Sequence, residues 1–83
     1  MSADFQISST PAQTLDVKGK ACPLPVIGTA KAIKALQSGE ILEVLATDPG
    51  VEADMHAWAR QTGNELLSIE QDGGAFRVLL RKA

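Results

Sequence analysis

Ile41-Leu42-Glu43-Val44-Leu45-Ala46-Thr47-Asp48-Pro49 decides the fold, because this one run holds a strand and the start of the helix that follows it. Its first seven residues are rich in branched side chains. Leu42, Val44 and Ala46 fall on one side and Glu43 on the other, the period of a half-buried strand. Asp48-Pro49 then reads as a helix N-cap followed by proline at the first helical position, where a backbone N–H has no intrahelical partner anyway. The predicted helix runs to about Thr62 and buries Val51, Met55, Trp58, Ala59 and Thr62, while Glu52, His56 and Arg60 share an outer row. Gly63 is placed to take the left-handed conformation that closes a helix.

The same reading extends in both directions. Towards the C-terminus, Glu65–Gln71 and Ala75–Arg81 alternate on either side of Asp72-Gly73-Gly74, a β-hairpin in which Phe76, Val78 and Leu80 face inward and Arg77 and Arg81 outward. Towards the N-terminus, Pro23 to about Gln37 places Val26, Ala30, Ile33 and Leu36 near one helical face, with Lys31 and Lys34 roughly opposite and solvated. Ser38-Gly39 supplies the stop. Gln13–Val17 sets Leu15 and Val17 against Thr14 and Asp16 as a short strand, which Gly19 ends. Residues 1–11, with Ser8-Ser9-Thr10-Pro11 in succession, read as a flexible leader, and residues 12–83 as a single domain. The order is βαβαββ. Each helix has one apolar stripe and each strand alternates. The expected architecture is therefore an α/β (α+β) two-layer sandwich: a mixed four-stranded sheet with both helices on one face and the other face open.

With 83 residues, 45% hydrophobic and 22% charged, the chain is globular and small. A net charge of -2 lacks the basic excess of a nucleic-acid binder, so direct binding of nucleic acid is not expected. One cysteine allows no intrachain disulfide. No apolar stretch is long enough for a membrane span, and residues 1–11 carry neither the apolar run nor the basic start of a signal peptide. The expected compartment is the cytoplasm, where a free thiol stays reduced.

That thiol lies in Cys22-Pro23-Leu24-Pro25, where the first helix begins. Prolines fit the first helical turn, and the residue before a proline is driven to an extended conformation, so Cys22 is expected at the N-cap with its sulfur accepting the Leu24 N–H. A helix N-terminus favours the thiolate by roughly 0.3–1 kcal/mol, less than one pKa unit. Lys18 and Lys20 would add positive potential, which Asp16 on the same side offsets in part; both lysines read equally well as solvated residues beside a turn. A moderately acidic thiol is the expectation, with Pro23, Pro25, Lys18, Lys20 and Asp48 as its supporting residues, although Asp48 reads first as a helix cap. His56 lies on an exposed face far from Cys22 in sequence, and one His with one Cys is too few for a metal site, so neither metal nor cofactor is expected. There is no CxxC pair, no glycine-rich phosphate loop and no serine–histidine–aspartate constellation.

Leu15-Asp16, Gly19, Cys22-Pro23-Leu24-Pro25, Ser38-Gly39-Glu40, Asp48-Pro49, Asp54, Trp58 and Gly63 occur in the order found in the TusA/SirA family of small sulfur-transfer proteins, which the chain resembles from Thr14 to Lys82. The resemblance implies a fold like the C-terminal domain of translation initiation factor three. It also implies that Cys22 accepts sulfane sulfur as a transient persulfide from a donor protein, a cysteine desulfurase or a rhodanese, and passes it to an acceptor protein. The pathways so served are tRNA thiolation, molybdenum-cofactor synthesis and sulfur oxidation. The chain departs from the tRNA-thiolation members at Leu24, where they typically carry an acidic residue. The fold analogy and the surface lysines also suggest a contrasting reading, a non-catalytic regulatory or nucleic-acid-binding module, against which the acidic balance weighs. A peroxide-reactive thiol sensor is a third reading, and it lacks a second, resolving cysteine.

Overall fold

In the computed structural model, which describes residues 10–83, the chain runs β1 (Gln13–Asp16), α1 (Leu24–Lys34), β2 (Ile41–Ala46), α2 (Val51–Thr62), β3 (Glu65–Asp72) and β4 (Ala75–Arg81). Residues 1–9 of the expected leader lie outside the described residues. The strands form one mixed sheet in the order β1-β2-β4-β3, with β1 parallel to β2 and β4 antiparallel to both β2 and β3. The two inner strands carry the most deeply buried residues. Leu42 pairs with Leu80 and Val44 with Val78, and all four are fully buried. Ile33 and Leu36 from the α1 side and Val51, Met55, Trp58 and Ala59 from α2 complete this core, so both helices cover one face of the sheet. Sequestering an apolar side chain of this size contributes about 1.5–3 kcal/mol.

The stripe of α1 is shifted from the expected one. Pro25, Thr29 and Ile33 are buried, while Val26 and Ala30 only pack partly against the core. Thr29 is admitted because its hydroxyl donates to the Pro25 carbonyl at 2.8 Å, which leaves its methyl to the interior. Gly28 lets this helix approach β1; a Cβ there would lie 3.4 Å from Val17 Cγ1. The α-helix stops at Lys34 rather than Gln37. The N–H groups of Ala35 and Leu36 then turn back to the Ala32 and Ile33 carbonyls, a tightened last turn that still buries Leu36.

Two further expectations are corrected. Asp48 is not the cap of α2: the Val51 N–H donates to the Asp48 carbonyl at 3.1 Å, closing a turn between strand and helix, and Gly50 takes the N-cap position. The Asp48 carboxylate instead accepts the Gly50 N–H at 3.1 Å. Thr62 stays exposed, its hydroxyl donating to the Trp58 carbonyl at 2.8 Å. Gly63 does close the helix, with φ of 80° and its N–H on the Ala59 carbonyl.

The hairpin departs from strict alternation through a bulge in β3. Leu66 pairs with Leu80, yet Ser68 pairs with Leu79, which leaves Leu67 as the extra residue and brings both Leu66 and Ile69 against the core. The sheet's other face carries a row of charge. Arg77 bridges Glu43 and Glu70, and Thr14 donates to Glu43 at 2.8 Å. The Arg77 guanidinium, with the Thr14 hydroxyl, holds the Glu43 carboxyl below its usual range.

Candidate functional site

The connection from β1 to α1 is tied down by short-range bonds. Lys18 N–H donates to Asp16 Oδ1 at 3.0 Å, Lys20 N–H to the Val17 carbonyl at 3.1 Å, and Gly19 N–H to Thr47 Oγ1 at 2.9 Å at the end of β2. A second turn follows, with Leu24 N–H donating to the Ala21 carbonyl at 2.9 Å across a cis Cys22–Pro23 peptide. Cys22 therefore stands outside the helix, and Pro23, not Cys22, occupies the N-cap. The expected bond from Leu24 N–H to the sulfur does not form, because Ala21 takes that donor. Pro23 is exposed beside the thiol, whereas Pro25 is buried and roots the helix start in the core. The thiol is free and exposed.

Cys22 opens onto a shallow groove of about 220 Å³ between the two helices. Cys22, Pro23 and Val26 form one side, and Asp54, Ala57, Trp58 and Gln61 of α2 form the other. The Asp54 carboxylate, a potential acceptor for the thiol across the groove, is the strongest influence on Cys22 and pushes its pKa above the ordinary value; partial desolvation and the charges of Asp54 and Asp48 act in the same direction. This reverses the expectation of a moderately acidic thiol. The physical reason is that α2 carries Glu52 and Asp54 in its first turn, and the packing of the helices aims Asp54 at the start of α1. Lys18 and Lys20 are exposed on the preceding turn and do not line the groove. Of the residues expected to support Cys22, the structure gathers Pro23 and the charge of Asp48 at the thiol, keeps Pro25 beneath it and leaves the two lysines aside.

A sequence model of the family described as Sulfurtransferase TusA matches residues 13–82. The chain belongs to that family. It is 46% identical over 71 residues to the sulfur carrier protein TusA of Allochromatium vinosum, covering 86% of this chain and 93% of the relative. YrkF of Bacillus subtilis is 52% identical over 68 residues, 82% of this chain, and the chain spans only 37% of that longer protein. The crystal structure of a SirA-like protein from Desulfitobacterium hafniense superimposes with a TM-score of 0.68 at 29% identity, covering 83% of this chain and 95% of the other.

Within this member of the TusA family, Asp54 and Gln61 are site residues to which the sequence reading assigns no role. A signal for them exists. Asp54, Ala57, Trp58 and Gln61 follow one another at helical spacing along a single row of α2, at the edge of its buried stripe. His56 lies on the exposed face, away from this row. Among the described residues no group of three or more His, Cys, Asp or Glu side chains is arranged to hold a metal ion, and no helix is long and apolar enough to cross a membrane.

Proposed function

We propose that this TusA-family protein is a sulfur carrier in which Cys22 bears sulfane sulfur as a persulfide between a donor and an acceptor protein. The observation that carries the reading is an exposed, unpaired thiol on a proline-braced turn, next to the only large hydrophobic side chains exposed among the described residues, Leu24 at 50% and Ile27 at 45%. The Cys22 sulfur attacks the outer sulfur of a donor persulfide. A new S–S bond forms at Cys22, the donor's S–S bond breaks, and the donor leaves as a thiol carrying the proton that Cys22 gave up. The acceptor's thiolate then attacks the same outer sulfur and Cys22 departs as the leaving group. Sulfur moves without net oxidation, so the exchange itself calls for no redox cofactor.

Both partners must bring their own sulfur atoms to the surface around Cys22. Leu24, Ile27, Lys31 and Lys34 are all exposed on α1 and form a row leading away from the thiol, apolar near it and basic beyond. That row suits a partner with an apolar contact beside an acidic patch. The donor class we infer is a cysteine desulfurase or a rhodanese, working in the cytoplasm. Intact mass spectrometry after incubation with a persulfide donor tests the reading: the wild-type protein gains the mass of one sulfur atom and Cys22→Ser does not. An adduct that persists in Cys22→Ser overturns the assignment of Cys22.

A further inference from the structure

We propose that the open face of the sheet is a second docking surface, which takes a basic segment of a partner protein by seating one of its arginine side chains in a cavity near the β3–β4 hairpin. The cavity measures about 250 Å³ and is lined by Leu45, Glu70, Asp72, Ala75, Phe76 and Arg77. It lies where β2, β4 and β3 run side by side: Leu45 pairs with Arg77, and Arg77 with Glu70. Both helices pack on the opposite face, and the groove that holds Cys22 lies between them. A partner seated on the sheet therefore leaves the thiol accessible from the helical side.

Charge and size together select the occupant. The carboxylates of Glu43, Glu65, Glu70 and Asp72 share this face with only two guanidiniums, Arg77 and Arg81. Arg77 is taken up by Glu43 and Glu70, and Arg81 by Glu65 at 3.2 Å, whereas the Asp72 carboxylate has no partner among the described residues. The negative excess repels the phosphates of nucleic acid and of anionic lipid and draws a cation. Pockets for small-molecule ligands usually hold about 300–1,000 Å³, so this smaller cavity suits a single side chain. Leu45, Ala75 and Phe76 offer apolar contact to an aliphatic stem, and Glu70 and Asp72 offer oxygens to the charged head. Arginine fits best, because its planar fork matches carboxylate geometry, whereas lysine is a strongly hydrated point charge. α1 has the opposite character, with Leu24 and Ile27 beside Lys31 and Lys34, so the two sides of the molecule suit partners of opposite charge.

Titrating a short peptide that alternates arginine and valine into the isotope-labelled full chain, followed by amide chemical shifts, tests the proposal. Saturable shifts are expected at Leu45, Glu70, Asp72 and Ala75, with none along α1. Asp72→Asn weakens binding about two- to fivefold, the range of an exposed ion pair. That substitution spares the fold, since the Asp72 carboxylate makes no bond within it. Glu52→Gln, which removes one charge from the exposed side of α2, leaves the affinity unchanged, and so does capping Cys22 with iodoacetamide. Shifts along α1, or no shift at the cavity with millimolar peptide, overturn the proposal. So do an Asp72→Asn effect no larger than that of Glu52→Gln, a loss of binding on capping Cys22, and equal affinity for a peptide with glutamate in place of arginine. The carrier reading fails on a different measurement: a Cys22 that takes up no sulfur leaves peptide binding intact.

Discussion

The two helix starts are built from similar sequence and do different things. Each follows a strand, and each has proline within a residue or two of its N-cap. At α2, Asp48 closes the turn with its carbonyl and its carboxylate, and two acidic residues occupy the first helical turn, where the helix dipole favours them. Neither helix has a side-chain cap, but at α1 the first turn holds no acidic residue, and Pro25 has no N–H to give. The start of α2 is self-sufficient and serves the fold. The start of α1 leaves one thiol outside the helix and depends on α2 for the charges around it. A helix N-terminus alone therefore does not decide whether its cysteine is acidic; the opposing helix does.

The contrast breaks most severely if α2 loses its anchor. Met55 is fully buried one residue beyond Asp54 and pins the first turn of α2 to the sheet. Met55→Ala should lower stability by about 3 kcal/mol, within the 2–5 kcal/mol typical of such truncations, as read from the midpoint of urea unfolding. A loss below about 1 kcal/mol would mean that α2 is not held where the groove requires it.

A smaller effect separates the two starts directly. Asp48→Ala removes the acceptor of the Gly50 N–H and should destabilise by about 1 kcal/mol, as loss of one hydrogen bond in a turn does. The same substitution removes one of the negative charges near Cys22, so the thiol of this less stable protein should alkylate faster. Destabilisation without faster alkylation would confine Asp48 to the fold.

How much of this is visible in sequence follows from which contacts are local. The periods of Leu42, Val44 and Ala46 and of Val51, Met55 and Trp58 report burial directly, and the core contains all six. Gly63 marks a helix end because the positive φ there is a property of one residue. The cap of α2 is misplaced because a turn is interposed at Asp48–Val51, and the Asp48-Pro49 pair looks the same with or without it. The bulge at Leu67 escapes for a similar reason, since an extra residue only shows once Leu66 and Ser68 have partners on β4. The electrostatics of Cys22 are the hardest to read. Lys18 and Lys20 are near it in sequence but outside the groove, whereas Asp54 comes from another helix, and only packing brings it to the thiol.

The smallest effect carries the sharpest sign. The thiol's pKa is raised in the folded protein chiefly by the Asp54 carboxylate, so the neutral form is the one that folding favours. A group of this kind adds stability below its unfolded pKa, about 8.5 for cysteine, and the gain is lost as pH rises through the higher folded value. Thermal unfolding of the wild type and of Cys22→Ala, compared from neutral pH upward, should therefore show a slight advantage of the wild type that shrinks above about pH 8.5. The exposure of Cys22 keeps the difference small at every pH. Its direction nonetheless separates the two accounts of the α1 start. A thiolate favoured by the helix dipole would make the wild type gain on Cys22→Ala as pH rises, and a neutral thiol held by Asp54 makes it lose.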